Sequence, residues 1–332
     1  MIKAIALLSG GLDSTLAVKL VLEQGIAVEA VTFITVFCTC TSHSSCRLEA
    51  KKVSEEFGIP LKVFNISREY LDIVKNPRHG YGKNMNPCLD CRIYMFRQAG
   101  EYMREVGASF LLTGEVLGER PMSQRRDAMR LIEKEAGLEG LILRPLSAKL
   151  FEPTIPEKEG WVEREKLLDI KGRSRKPQIG LAAQFRIKDY PCPAGGCLLT
   201  DSTFAVRLRD LFRHSEATLN DIHLLKIGRH FRLSPQAKLV IGRDEGENAK
   251  LLTLAQAGDL GFRAADFPGP IAVARGELTE AEIITASSLT ARYGQGRGED
   301  SLKVDCWELP EGEIQSVVIS PMKAEELEKL RV

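Results

Sequence analysis

The sequence carries almost no net charge and contains no long apolar segment. Lys and Arg total 46 against 45 for Asp and Glu, which leaves a net charge of +1. Because basic and acidic residues are so closely balanced, the overall charge excludes a partner that is recognised by net charge. Any nucleic-acid surface must therefore be a local patch of positive charge. No stretch approaches the roughly 18 consecutive apolar residues of a membrane-spanning helix. We therefore expect no membrane partner.

The N-terminus also lacks the pattern of a secretory signal. Its apolar run is short and leads directly into the polar segment SGGLDST (9–15), whereas a signal peptide needs about 7 to 15 apolar residues before its cleavage site. We therefore expect a cytoplasmic protein. In that compartment the eight cysteines are expected to be thiols, metal ligands or catalytic groups, because structural disulfides are rare there.

The chain is long enough for two domains, and the pattern of predicted strands and helices changes along its length. It has 332 residues with 44% hydrophobic and 27% charged residues, which is an ordinary globular composition. Up to about residue 146, short apolar strands alternate with helices, which predicts an α/β fold with a doubly wound, Rossmann-like parallel sheet. We predict a first domain over 1–200, a helical linker over 201–221 and a second, smaller α+β domain over 222–332.

The segment SGGLDST (9–15) lies between the first predicted strand and the first predicted helix. Backbone N–H groups at a helix start bind anions, aided by the helix dipole, and the two glycines let the backbone approach phosphates closely. The lysine of the Walker loop is missing. Taken alone, a glycine-rich turn with a helix cap at Asp13 or Ser14 is the alternative.

The complete S-G-G-x-D-S pattern resembles the PP-loop of the ATP pyrophosphatases, which cleave ATP between the α- and β-phosphates. Members of that family convert a carbonyl oxygen into an adenylate, and a nucleophile then displaces AMP. In this resemblance Asp13 helps to hold Mg²⁺ beside the pyrophosphate and is a catalytic residue. The predicted ATP-binding residues of the loop are Ser9, Gly10, Gly11, Asp13, Ser14 and Thr15.

Three further segments resemble PP-loop enzymes that thiolate tRNA. GKNMNPCLDCRIYMF (82–96) and GGCLLTDSTF (195–204) resemble the two cysteine segments of tRNA 2-thiouridylases. LLTGEVLGERPMSQ (111–124) resembles tRNA 4-thiouridine synthases and adds Thr113 and Gly114 to the predicted ATP site. The resemblance covers about residues 1–210 and implies a tRNA sulfurtransferase, with 4-thiouridine as the preferred product and 2-thiouridine as the alternative.

Cysteines 88, 91 and 197 are the predicted sulfur site. Cys88 and Cys91 form a C-x-x-C at a predicted helix start, where thiolates are stabilised. Together with Cys197 they offer three soft ligands, which suits a [4Fe–4S] cluster with one open iron. A zinc site, or a persulfide–disulfide cycle without metal, is the alternative. Cys192 is a spare thiol, a persulfide carrier or a fourth ligand, and the predicted catalytic cysteines are Cys88, Cys192 and Cys197.

The loop FCTCTSHSSC (37–46) contains another group of possible ligands. Cys38, Cys40, His43 and Cys46 have the composition of a Cys₃His zinc site. A small-residue loop with incidental thiols is the alternative, and the resemblance to thiolases assigns these residues no role.

The segment 240–276 resembles the RNA-binding module of NFACT proteins. The matching features are Gly242-Arg243, Asn248, Asp259 with Phe262, and Pro268-Gly269. Basic residues around the apolar strands are expected to bind the phosphates of structured RNA. A solvated face with interspersed acidic residues is the alternative. The predicted RNA-binding residues are Arg229, Arg232, Arg243 and Lys250.

These patterns together predict an ATP-dependent enzyme that takes tRNA and a sulfur donor. The donor is either the persulfide of a cysteine desulfurase or sulfide, and a homodimer is possible. Two other functions stay open. One is a PP-loop ligase that amidates a small molecule, and the other is an RNA-binding factor with an inactive PP-loop.

Overall fold

The computed structural model describes residues 2–38, 46–187, 190 and 197–332. The chain divides into two compact units, Met1–Asp201 and Ser202–Val332. Cys40, His43 and Cys192 lie outside the described residues, as does the side chain of Cys46. None of the helices in the described part of the chain is long and apolar enough to cross a membrane.

The first unit is built on a five-stranded sheet. Its strand order is β3-β2-β1-β4-β5, and every neighbouring pair is parallel. The predicted doubly wound α/β fold is therefore confirmed. The strands are β1 (Lys3–Leu7), β2 (Ala27–Ile34), β3 (Leu61–Asn65), β4 (Phe110–Thr113) and β5 (Ile142–Leu143).

Helices cover both faces of this sheet. Alternate residues of β1 point to opposite faces, so that Ala4 and Ala6 join one apolar core while Ile5 and Leu7 join the other. The first core includes residues of α1, α2 and α7, and the second includes residues of α4 and α5. The helices are α1 (Leu12–Leu22), α2 (Cys46–Glu56), α3 (Ser67–Lys75), α4 (Cys88–Glu105), α5 (Arg126–Ala136), α6 (Ile155–Lys158) and α7 (Lys176–Gln184).

The strand order reverses between β1 and β4, and this is where open α/β sheets bind ligands. Gly114, directly after β4, lies against the backbone of the segment after β1. A Cβ atom at Gly114 would lie 2.4 Å from both the carbonyl carbon of Asp13 and the amide nitrogen of Ser14. A residue without a side chain is therefore needed for the two strand ends to meet.

The second unit is a six-stranded sheet with helices. Its strand order is β11-β10-β8-β9-β7-β6, and all neighbours are antiparallel. The segment predicted as a linker contains two of its helices. The elements are α8 (Ser202–His214), α9 (Leu219–Leu225), β6 (Arg229–Arg232), β7 (Lys238–Ile241), α10 (Glu245–Leu254), β8 (Leu260–Ala264), β9 (Ala272–Arg275), α11 (Glu280–Arg292), β10 (Leu302–Glu308), β11 (Gln315–Ile319) and α12 (Ala324–Leu330).

We predict that Gly114→Ala destabilises the protein. The added methyl group has no space beside Asp13 and Ser14, so the free energy of unfolding should fall by at least about 2 kcal/mol. Gly180→Ala is the matched control, because Gly180 lies within α7 with no neighbour within 4 Å of an added Cβ. It should be neutral or stabilising by about 0.5 to 1 kcal/mol. Denaturant unfolding measures both, and equal stabilities would contradict the close approach.

Candidate functional site

The loop between β1 and α1 leaves the start of the helix open to a ligand. Gly11 precedes α1, and no described side chain caps that helix. The hydroxyl groups of Ser14 and Thr15 donate to the Gly11 carbonyl at 2.9 and 3.0 Å, and the Ser14 hydroxyl accepts from the Ser9 amide at 3.3 Å. The loop is thus closed by its own hydroxyls, while the first amides of α1 are available to an anion.

Gly10 fixes the position of this loop against α2. It adopts the left-handed conformation with φ of +75°, and a Cβ atom there would lie 2.5 Å from the backbone of Glu49. Thr113 is buried as the last residue of β4, and Gly114 follows it. Thr113 and Gly114 therefore lie at the same edge of the sheet as the loop 9–15. The role that the structure shows for them is close packing.

Two carboxyl groups lie together beside the loop. Burial raises the pKa of Asp13, against the opposing effect of Arg175, whose guanidinium is 3.6 Å from the Asp13 carboxylate. Burial and the nearby charge of Asp13 also raise the pKa of Glu119. One oxygen of Asp13, Oδ1, is buried without a hydrogen-bond partner among the described residues. Buried carboxylate oxygens of this kind suit a hard cation such as Mg²⁺.

The described cysteines of the first unit converge near the ends of β2 and β3. Cys88 and Cys91 lie in the first turn of α4. The segment that begins at Cys197 is held on both sides by backbone hydrogen bonds. The amide of Leu198 donates to the Phe37 carbonyl at 3.1 Å, and the amide of Met85 donates to the Leu199 carbonyl at 3.0 Å.

Cys38 belongs to the same group of thiols. The Thr35 amide donates to its sulfur at 3.4 Å. Cys38 is close enough to Cys91 and Cys197 to raise the pKa of each thiol through its charge. The structure therefore places the one described ligand candidate of the 37–46 loop beside the cysteines of the other two groups.

Burial keeps these thiols protonated. It raises the pKa of Cys88 and Cys91, and it raises that of Cys197 to about 12. Two opposing contacts favour thiolates: a hydrogen bond between Tyr70 and Cys91, and the charge of Arg92 near Cys88. Tyr70 is 1% exposed. The cysteines are nevertheless only partly buried, so the site limits the contact of its sulfur atoms with water without excluding it.

The three predicted cysteine ligands meet some of the requirements of an iron–sulfur cluster. The donor type fits, because several soft thiols share one partly buried place. Among the described residues, however, no three His, Cys, Asp or Glu side chains are arranged so that they could hold a metal ion. As they stand, Cys88, Cys91 and Cys197 are neighbours without being a coordination shell.

The loop 9–15 and the cysteine site lie at the same edge of the sheet. The loop follows β1 and Cys38 follows β2, and these strands are parallel neighbours, so that their carboxyl ends lie at one edge. The charge of Arg120 opposes the rise in pKa that burial causes at both Asp13 and Cys88. The first unit therefore has a candidate site with two parts, a candidate phosphate-binding loop and a group of thiols.

The four predicted RNA-binding cations of the second unit have different surroundings. Arg229 donates to the Gly242 carbonyl and stacks over Tyr293 at 4.6 Å. Arg232 is 18% exposed and pairs through two nitrogens with Asp210 at 3.1 and 2.6 Å. Arg243 pairs with Glu247 on an exposed surface, and Lys250 is exposed on α10. Lys250 and Arg243 are therefore accessible to a phosphate, whereas Arg232 is mainly engaged within the unit.

Sequence reasoning missed three residues of the candidate site. Glu119 lies in a segment that was singled out, but a lone glutamate in a loop carries no signal of its own. Cys38 was grouped with its sequence neighbours, because spacing does not show which distant cysteines approach it. Tyr70 has no motif, and its position against Cys91 follows from the packing of α3 alone.

The fold and the candidate site of the first unit indicate a broad class of protein. A doubly wound sheet with a phosphate-binding loop at its switch point is a nucleotide-binding fold. Residues 2–150 match the family model "Thiamine biosynthesis protein (ThiI)", and residues 228–331 match the model "NFACT protein RNA binding domain". The first unit is thus similar to ThiI proteins and the second to the RNA-binding domain of NFACT proteins, which confirms both resemblances.

Curated relatives of the first unit are tRNA-modifying proteins. A tRNA-specific 2-thiouridylase of Syntrophotalea carbinolica is 35% identical over 32% of this chain and 32% of its own length. A probable tRNA sulfurtransferase of Ureaplasma urealyticum is 31% identical over 43% of this chain and 36% of its own. The chain spans about a third of the length of these relatives.

Among solved structures, a 4-thiouridine synthetase in complex with RNA and ATP is 22% identical to this chain. The similarity covers 68% of this chain and 52% of that one, with a TM-score of 0.38.

We predict that Arg232→Met lowers stability. Removing the guanidinium leaves the Asp210 carboxylate with fewer partners in a partly buried place, which should cost about 1.5 to 3 kcal/mol of unfolding free energy. Lys250→Met should leave that free energy within about 0.5 kcal/mol of the original value, because Lys250 is exposed. Denaturant unfolding compares the two, and a neutral Arg232→Met would show that the pair has no structural role.

Proposed function

We propose that the protein is an ATP-dependent tRNA sulfurtransferase. The observation that carries this proposal is the two-part candidate site of the first unit, in which the loop 9–15 and Cys38 follow the carboxyl ends of the neighbouring parallel strands β1 and β2. A phosphate-binding loop beside a group of thiols suits a reaction that needs both ATP and sulfur. The ThiI family match and the tRNA-thiolating relatives support the same reaction.

The loop 9–15 binds the phosphates of ATP in this proposal. Amides at the start of α1 and the hydroxyl groups of the loop meet the negative charge. Asp13 and Glu119 would hold Mg²⁺, which would supply positive charge beside the pyrophosphate. A uridine carbonyl oxygen attacks the α-phosphorus, and the bond from that phosphorus to the β-phosphate oxygen breaks. The products of this step are an adenylated uridine and pyrophosphate.

The cysteine site supplies the sulfur. The donor is a persulfide or sulfide, and Cys88, Cys91 and Cys197 hold the sulfur in a partly buried place. With sulfide, the sulfur attacks the activated ring carbon directly, the C–S bond forms, and the C–O bond to AMP breaks without any change of oxidation state. With a persulfide donor, one cysteine takes the outer sulfur and releases the donor thiol, and the new persulfide attacks the ring carbon and expels AMP. A second cysteine then breaks the S–S bond, which releases thiouridine and leaves a disulfide that an external dithiol must reduce. The tRNA must present a flipped-out base, since a stacked uridine cannot reach such a site.

An iron–sulfur cluster is the proposed cofactor of this half of the site. Cys88, Cys91 and Cys197 would be its ligands, and the cluster would supply an iron at which sulfide is kept ready. The protein's own part is to bury these thiols and to orient Cys91 through Tyr70. Zinc and a metal-free persulfide cycle are the alternatives.

The second unit binds tRNA in this proposal. Its family match is to an RNA-binding domain, and Arg243 and Lys250 are exposed cations on or beside α10. The preferred product is 4-thiouridine, which is supported by the match to the ThiI family model. Because a 2-thiouridylase is also among the relatives, the modified nucleoside itself has to be identified.

We expect Cys197→Ala to abolish thiolation while ATP binding stays unchanged, because the thiol belongs to the sulfur half of the site. The measurement is mass spectrometry of tRNA nucleosides from cells that carry either the original gene or the variant as their sole copy. Cys306→Ala is the control, since Cys306 lies in the second unit. Full thiolation by the Cys197 variant would remove that residue from the mechanism.

The same nucleosides separate the proposed function from its alternatives. Loss of 4-thiouridine on gene deletion identifies the preferred product, and loss of a 2-thiouridine identifies the other one. An unchanged profile would contradict the sulfurtransferase. In that case, ATP turnover without RNA would indicate a small-molecule ligase, and RNA binding without ATP turnover would indicate an inactive PP-loop.

We expect Lys250→Gln to weaken tRNA binding by a few-fold and to lower the slope of log affinity against log salt by about 1, as loss of one phosphate contact does. Lys329→Gln is the control, because Lys329 is an exposed cation on α12, outside the predicted surface. Filter binding at several salt concentrations measures both variants. Identical slopes for the two variants would place the RNA elsewhere.

A further inference from the structure

Gln178 is a buried side chain whose polar atoms are poorly satisfied. The residue lies in α7 and is 0% exposed. Its amide lies near enough to the Asp13 carboxylate to lower the pKa of that group by weak hydrogen bonding, but neither its nitrogen nor its oxygen has a partner at good hydrogen-bond geometry among the described residues. An unsatisfied buried amide costs about 1 to 3 kcal/mol. A ligand that completes these hydrogen bonds would offset that cost.

Arg175, one turn before Gln178, also has a buried polar atom without a hydrogen-bond partner among the described residues. Its Nε is buried without a partner, while another nitrogen of the guanidinium lies 3.6 Å from the Asp13 carboxylate. This distance is longer than a good hydrogen bond between charged groups. The guanidinium is therefore close to Asp13 without being fully engaged by it.

These atoms of Gln178 and Arg175, which lack hydrogen-bond partners among the described residues, lie near the start of α1. Helices α1 and α7 contact each other, and Asp13 is in the first turn of α1. Its Oδ1 is unpartnered as well. A glutamine, an arginine and a carboxylate thus lie near the start of α1, where the first amides of the helix are donors. A guanidinium and amide N–H groups are donors that suit phosphate oxygens.

We propose that Arg175 and Gln178 bind the β- and γ-phosphates of ATP and stabilise pyrophosphate as the leaving group. This inference rests on the proposed function, since it names two more residues of the same ATP site. Arg175 lies beside Asp13. With ATP and Mg²⁺ bound, Asp13 would hold the cation, and the guanidinium of Arg175 would contact the phosphate oxygens. Gln178 then donates its amide hydrogens to a phosphate.

The location of the two residues predicts which part of ATP they recognise. They lie beside Asp13 at the start of α1, where the loop 9–15 binds phosphate, so AMP should make few contacts with them. Charge also favours the outer phosphates, because pyrophosphate carries most of the charge that the guanidinium would neutralise.

The test is the affinity of the full chain for ATP and for AMP, each with Mg²⁺, measured by calorimetry. For Arg175→Gln and Gln178→Met we expect the Kd of ATP to rise about tenfold or more and that of AMP to change less than about twofold. Gln178→Met should unfold at the same temperature as the original protein or higher when no ligand is present, because it removes an unsatisfied amide. Weaker ATP binding by that variant is then not a folding defect.

Gln184→Met is the matched control, because Gln184 is an exposed glutamine of the same helix. It should bind ATP and AMP as the original protein does. Unchanged ATP affinity in both test variants would overturn the inference, and so would an equal loss of ATP and AMP affinity or a similar loss in Gln184→Met. If the original protein itself binds no ATP, the proposed function fails, which is distinct from a failure of Arg175 and Gln178 alone.

Discussion

The close contact between the end of β4 and the start of α1 is the constraint on which the candidate site depends. Gly114 meets the backbone of Asp13 and Ser14 with no space for a side chain. This contact closes the crevice at the switch point and fixes where the first turn of α1 begins. The positions of Asp13, and through it of Arg175 and Glu119, follow from the same contact.

Burial then determines the chemistry on both sides of the site. It raises the pKa of the carboxyl groups near the loop and of the thiols near α4. Arginines act against this effect in each half, with Arg175 near Asp13 and Arg92 near Cys88. A cation or metal ion close to these groups would stabilise their charged forms and so lower their pKa values again.

The proposed RNA-binding function of the second unit needs accessible cations, but ion pairs engage several of its cationic side chains. Arg232 and Lys238 share Asp210, and Arg275 pairs with Asp221 and Asp259. These ion pairs hold the helices to the sheet of that unit. The arginines predicted to bind RNA therefore differ. The mostly buried Arg232 helps to hold the unit together, whereas the exposed Arg243 is accessible to a phosphate.

The sequence by itself determined the α/β fold and both family resemblances and predicted the phosphate loop, because these depend on local patterns: alternating strands and helices, SGGLDST and the Gly242-Arg243 region. It also named Cys88, Cys91 and Cys197 from their local surroundings. Tertiary structure alone decided that Cys38 joins these thiols, that Tyr70 contacts Cys91 and that Gln178 faces Asp13. Such contacts join residues far apart in the chain, and a local pattern carries no record of which distant side chains the packing of helices on a sheet will bring together.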